Sequence, residues 1–486
     1  MVPPFTRQIQ RSFFQTADGI LTCMKIWTYL LAGWMASYAV GEAHAQTAPQ
    51  TGPQTTNRIT FQDTSLGIVS LTAEYRLVCV SQDQKHIAFP ITKDGTWQIL
   101  RDGTLETPPS ETERVENLKF SPDGNHLAYF ARLKSGEWIT VRDGKGSEPY
   151  TCDMATAPVF SDDSEHMAYI LCRDVDQVLV VDGKEVKVYP DAYREGGRHS
   201  GKEAIDVRTL VFGGSQISYA VVSKEHQYVV IDGKPGKNYQ AISSPGPRYI
   251  PGTTNLVYGA RVDSNLWVVV RNGRESARIT AKGVMDFTFA ASNSAALGYL
   301  ELQDSPLRMK AVIMAKPGKE YFAIGMDTLR FSANGWHTLY VAGSDTEQRV
   351  VVDGQEGPIY SGISPRTPRL SPDGWRHAYG AARGEDSLAV IDGKEWGKFD
   401  YFIPSSFVFS PDNQHVVFVG TRKNKAILVV DCVEVREFDL ITVPEKDYYY
   451  GRFLPVFDSP THFHLQATRR SEFMDPEIIK VDAEIQ

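Results

Sequence analysis

Short apolar runs alternate with polar turns along this chain, and the alternation repeats. One kind of run is β-branched and closes on a tight turn. It reads Ile99-Leu100-Arg101-Asp102-Gly103, Val141-Arg142-Asp143-Gly144, Val180-Val181-Asp182-Gly183, Val230-Ile231-Asp232-Gly233, Val270-Arg271-Asn272-Gly273, Val352-Asp353-Gly354 and Ile391-Asp392-Gly393, with looser copies at 313–318 and 430–432. Asp-Gly or Asn-Gly between apolar segments signals a hairpin, because both central positions of a type I′ turn take positive φ. A second turn has the form Ser-Pro-Asp-Gly, as at Ser121-Pro122-Asp123-Gly124 and Ser371-Pro372-Asp373-Gly374. Variants occur at Ser81, Ser161, Ser332 and Ser410. Proline presets the second turn position, and aspartate can bond its own backbone two residues on. The strand after this turn carries an aromatic: Phe89, Tyr129, Tyr169, Tyr219, Tyr258, Tyr299, Tyr340, Tyr379 and Phe418, at intervals of 39–41 residues apart from one of 50.

Each unit therefore predicts four antiparallel strands: an inner strand, an aromatic-bearing strand, a Val-rich strand and a short outer strand. Such a sheet cannot cover its own apolar faces, and packing sheets radially solves that problem while hiding most strand edges. The expected fold is all-β, a β-propeller of roughly forty-residue four-stranded blades. A β-solenoid, the competing repeat architecture, has shorter units without two hairpin turns each. Nine units are clear. The tail, Phe463 to Ala467 and Glu477 to Val481, is either a tenth, eroded unit or a partner for strands within 59–80 that closes the ring. The array at 59–486 is one large ring or two smaller propellers.

The unit Phe120-Ser121-Pro122-Asp123-Gly124-x-x-Leu127-Ala128-Tyr129 resembles the WD40-like repeat of TolB-type propellers, over about residues 77–445. That resemblance implies a propeller, often outside the cytoplasm, with protein or peptide binding as a frequent role. The leading α/β domain of TolB and the hydrolase domain of the prolyl-oligopeptidase group are both missing from the pattern.

The N-terminal stretch changes the expected location. Met24-Lys25 precedes an apolar run from Ile26 to Met35, and Ala43-His44-Ala45 gives the small-x-small pattern of a cleavable signal. Residues 1–45 read as a signal peptide, with 1–23 as an extension upstream of the true start. Residues 46–58, rich in Thr, Gln and Pro, read as a flexible leader. The expected product is periplasmic or secreted, monomeric, and without a stable membrane span once the signal is cleaved. In an oxidising compartment Cys79, Cys152, Cys172 and Cys432 allow three arrangements of two disulfides; Cys152–Cys172 would clip neighbouring units and Cys79–Cys432 would fasten a closed ring. The formal charge of −8, with no basic arm or stripe, excludes nucleic acid as an expected partner.

Candidate chemistry is sparse. His86, His126, His166, His337 and His415 share one slot, five residues after the turn serine, but equivalent positions on different blades do not converge. His462 and His464 form His-x-His on one strand face, a start towards zinc with no third ligand. No cofactor, nucleophile or phosphate-loop motif is present. The long interval after Tyr169 contains an insertion whose Tyr189, Tyr193, Arg194, Arg198, His199 and Lys202 form the first candidate binding surface. It lies on the face that also receives the variable loops between second and third strands. Two functions follow. One is an extracytoplasmic binding or assembly scaffold recognising a protein, peptide or glycan through that face. The other is a hydrolase or lyase acting on glycan or peptide with acidic residues at the ring centre.

Overall fold

The computed structural model describes residues 58–68, 78–93, 95–194, 198–290, 292, 296–303, 307–440, 453–470 and 476–486. The expected signal segment and nearly all of the leader lie outside these residues. Ten sheets form ten blades arranged radially round an axis, and one further two-stranded hairpin stands apart from them. Blade two shows the plan: Thr112–Phe120, Leu127–Leu133, Trp138–Arg142 and Lys145–Gly146, paired in chain order and antiparallel. Among the described residues there is one 3-10 turn, Val207–Thr209, and no α-helix.

The ring is one array, and it closes across the chain ends. Blade ten takes three strands from the tail, Val456–Phe457, His462–Arg470 and Pro476–Ile485. Its outermost strand is Ile59–Ile68, running antiparallel to Pro476–Ile485 from Ile59 opposite Ile485 to Ile68 opposite Glu477. Both sequence alternatives for the tail are thus realised together. Arg436 of blade nine grips this strand through a bidentate pair with Asp63 at 2.8 and 2.7 Å, the fork geometry that gives guanidinium–carboxylate contacts their specificity.

Packing follows one rule. Among the described residues there are ten clusters of buried apolar side chains, one in each gap between neighbouring blades. The recurrent aromatic of each second strand always faces the preceding blade: Tyr129 packs against Ala88 and Ile99 of blade one, Phe418 against Ala378 and Ala389 of blade eight. In blade ten Leu465, fully buried against blade nine, takes that place. Tyrosine hydroxyls here need polar partners; Tyr169 reaches Thr140 Oγ1 at 2.9 Å across the gap.

In blades one, two, three, seven, eight and nine the two tight turns share a face and are bonded to one another. The aspartate of the second tight turn accepts from the slot histidine: Asp102 from His86, Asp143 from His126, Asp353 from His337 and Asp431 from His415, each at 2.7 Å, and Asp182 from His166 at 2.8 Å. Arg376 replaces histidine in blade eight and donates to Asp392 at 2.9 Å. Several blades are also clasped to the next on this face. Arg142 lies over Phe160 and donates to the carbonyls of Ser164 and Glu165, and Arg376 lies over Phe409 and donates to those of Asn413 and Gln414. At the closing seam His464 and Gln466 perform that task, donating to the carbonyls of Asp83, Gln84 and His86.

Because the seam aromatics carry the packing, Phe418→Ala is expected to cost about 3–5 kcal/mol. Tyr169→Phe, which removes only the bond to Thr140, is expected to cost about 1 kcal/mol. Denaturant unfolding of the two variants checks this ordering, and equal losses would contradict it.

Candidate functional site

The blade topology puts three surfaces on offer: the tight-turn face, the opposite face of variable loops, and the wall around the axis. The insertion lies on the variable-loop face. After the outer strand Lys184–Tyr189 of blade three, the chain makes a small hairpin, Tyr193–Arg194 with Arg198–His199, in which Tyr193 stands opposite His199 and Arg194 opposite Arg198. Loops of both neighbouring blades hold its base. Asp191 N donates to Asp176 Oδ1 of blade three at 2.8 Å, and Lys224 N of blade four donates to Gly201 O at 3.0 Å. Lys202 is exposed and forms an ion pair with Asp191.

Tyr189 sits elsewhere. It is 3% exposed in the seam between blades three and four, where its hydroxyl donates to Tyr219 Oη at 3.2 Å. Burial and that bond push its phenol well above the usual range. Its part is to seat the hairpin on the ring.

The structure does not bring the cysteines together in the expected pairs. Cys152 packs into the seam between blades two and three, while Cys172 belongs to the seam between three and four, on the other side of the same sheet. Cys79 lies on blade one and Cys432 on blade nine, with blade ten between them. Burial raises the thiols of Cys152, to about 11, and of Cys432, to about 12.

His462 and His464 do share a strand face, and both approach Asp458. His464 Nδ1 is 2.6 Å from Asp458 Oδ2, and its Nε2 is taken by the Asp83 carbonyl at 2.7 Å. Its ring nitrogens thus serve the closing seam. Among the described residues no group of His, Cys, Asp and Glu is placed to hold a metal ion. No helix of the described residues is long and apolar enough to cross a membrane.

Two features escaped the sequence reading. On the tight-turn face Trp336 and Trp375, which follow the turn glycines of blades seven and eight, are 71% and 76% exposed. Trp375 leans over His337 of the preceding blade with ring centroids 4.5 Å apart. Indoles this bare are uncommon on a surface that contacts only water. Their signal was in the sequence, since the same slot holds Lys85, Asn125, Glu165 and Gln414 in other blades.

The second feature is the axial wall. The first strands of successive blades abut one another, so they surround the axis. Many are split by a bulge whose central residue has positive φ: Asn117, Asp286, Asp327, Arg366 and Ser405, between 55° and 67°. The bulges link blades, since Asp327 N donates to Asp286 Oδ2 at 2.9 Å and Ser405 N to Arg366 O at 3.1 Å. Asp286 is 7% exposed; burial, with Asp327 close by, pushes its carboxyl up to about 6, against the opposing pull of Arg248 and Arg330.

No family model matches this chain, and no curated protein matches it. Solved structures do. It is similar to a eukaryotic initiation factor (10% identity, 81% of this chain and 92% of that one, TM-score 0.43). It is similar also to Hsv2 of Kluyveromyces lactis (11%, 69% and 96%, TM-score 0.29) and to the WD40 β-propeller domain of Doa1 (12%, 60% and 95%, TM-score 0.26). The likeness is one of fold.

The axial aspartate gives a pH-dependent outcome. Its folded pKa lies above the ordinary value, so its contribution to stability is complete below about pH 4 and is lost as pH rises through about 6. Asn accepts the Asp327 N–H equally well and tolerates positive φ. The stability of Asp286→Asn relative to wild type is therefore expected to be about 2–3 kcal/mol more favourable at neutral pH than near pH 3.5. Chemical denaturation across that range checks it; a constant difference would contradict it.

Proposed function

We propose that this chain is an exported binding or assembly scaffold of the TolB-type, WD40-like propeller class, working as a monomer in the periplasm or outside the cell. It recognises a protein, peptide or glycan through the variable-loop face. The observation that carries this reading is the insertion hairpin. It is the one two-stranded element outside the ten blades among the described residues, and loops of blades three and four brace its base. Recognition grafted on a rigid frame takes this form. A hydrolase or lyase would need carboxylates gathered at the axis. There the wall of blades five to eight carries four arginines, Arg248, Arg330, Arg366 and Arg369, against Asp286 and Asp327.

A second reading places the partner on the opposite face, and the exposure of Trp336 and Trp375 favours it. Paired capture experiments separate the two. Residues 193–199 are replaced by a short Gly-Ser link, which spares the buried Tyr189 and Ala192, and a second variant carries Trp336→Ala with Trp375→Ala. The expected result is a partner from the extracytoplasmic fraction that wild type and the tryptophan variant retain and the hairpin variant loses. Loss in the tryptophan variant alone moves recognition to the other face. Finding the chain in the cytoplasm, with its N-terminus uncut before Gln46, would contradict export.

A further inference from the structure

The inner strands reserve one slot, two residues before the Ser-Pro-Asp-Gly turn or its counterpart, for side chains that pack towards the next blade at the axis. Cys79, Val159 and Val408 fill it with apolar groups joined to the seam clusters. In blades five, seven and eight that slot holds Arg248, Arg330 and Arg369 instead, and blade eight adds Arg366 on its bulge. Because the first strands of blades six, seven and eight abut in order, Arg330, Arg366 and Arg369 belong to one stretch of axial wall.

These cations are left open. Elsewhere on the ring, arginines are matched to carboxylates, as in Arg436 with Asp63, Arg422 with Glu434 and Arg383 with Glu395. Among the described residues no ion pair within 4.0 Å joins a carboxylate to Arg248, Arg330, Arg366 or Arg369. Arg330 donates one Nη2 bond to the Asp327 carbonyl, and Arg369 uses Nη1 on the carbonyls of Arg366 and Pro368. A guanidinium has five N–H donors, so most of each fork stays available. In a chain with a net charge of −8 this excess of four arginines over the two wall aspartates is local, not general.

We infer that the axial wall of blades seven and eight is a binding site for a small, multiply charged oxyanion, a polyphosphate or a polycarboxylate, held by Arg330, Arg366 and Arg369. Guanidinium forks take such groups bidentately, and a charged wall enclosed by protein focuses its field on the space it borders. The electrostatics agree: burial and then Arg330 push Arg369 down to about 10, and burial lowers Arg330 against the pull of Asp327 and Asp286. Bringing an anion to this wall would offset the repulsion between these groups. Asp286 and Asp327 on blades six and seven bound the site on one side and leave the blade-eight side basic. The site stands apart from both faces discussed above, so it goes beyond the scaffold reading and does not depend on which face meets a partner.

Isothermal titration calorimetry of the chain from residue 46 onward, which holds every described residue, tests this with two probes, pyrophosphate and citrate. Saturable one-to-one binding of at least one probe is expected, weakening as ionic strength rises. Arg330→Gln and Arg369→Gln are each expected to weaken it about tenfold or more, the loss that follows from removing a charge-assisted bond. Lys184→Gln, an exposed change on the outer strand of blade three, should leave it intact. Pyrophosphate binding alone assigns the site to phosphates, citrate binding alone to carboxylates, and both support it. Should either buried-wall variant fail to fold, Arg366→Gln, an exposed position, decides by the same loss. Absence of binding for both probes, undiminished binding in the arginine variants, or an equal loss in Lys184→Gln would overturn the proposal.

Discussion

Every blade is a sheet with two apolar faces and no means of covering either alone, so each gap between neighbours must be dry. The ten apolar clusters, one per gap, are that requirement met ten times. At about 25 cal/mol per Å2 of apolar surface removed from water, any open gap would outweigh the gain from its local hydrogen bonds. This requirement explains why the aromatics share one orientation. It also explains why the chain ends meet: without Ile59–Ile68 the last sheet would lack its outer strand, and the seam formed by Leu66, Ile478, Ile87 and Phe89 would lose Leu66.

Polar chemistry fixes what burial leaves loose. Apolar faces slide past one another at little cost, whereas a donor aimed at a particular carbonyl does not. The histidine–aspartate pairs lock the two turns of a blade together, and Arg142, Arg376, His464 and Gln466 each reach across to the next blade's turn. Different side chains thus do one job at different seams. At the rim, Glu275 and Glu356 each accept from a lysine and a tyrosine of the preceding blade, and Lys319 foremost holds Glu356 at about 2. The outcome is a rigid frame with loops, hairpin and axial wall as its variable parts.

Much of this frame was legible in the sequence. Asp-Gly turns and evenly spaced aromatics encode strand order and blade size, because turn geometry and seam packing are local needs of each unit. The closing strand was less legible, since Ile59–Ile68 pairs with residues more than four hundred positions away and strand pairing carries no sequence label for its partner. Inner-strand bulges were invisible: Asn117, Asp286, Asp327, Arg366 and Ser405 share a conformation but not a residue type. Tyr189 looked like part of an exposed cluster because its neighbours are charged, yet strand alternation turns it into a seam. Trp336, Trp375 and the axial arginines were readable only by aligning blades with one another, as residues that break the character of their slot.

The closure of the ring by its first strand is the claim on which the rest turns, and hydrogen exchange followed by mass spectrometry reaches it directly. The amides of residues 59–68 that bond to Pro476–Ile485 are expected to be protected, as those of the central strand Leu256–Asp263 are, while the alternate, outward-facing amides of this edge strand exchange fast. Exchange of all of 59–68 at the rate of an unstructured leader, while Leu256–Asp263 stays protected, would contradict a closed ten-bladed ring.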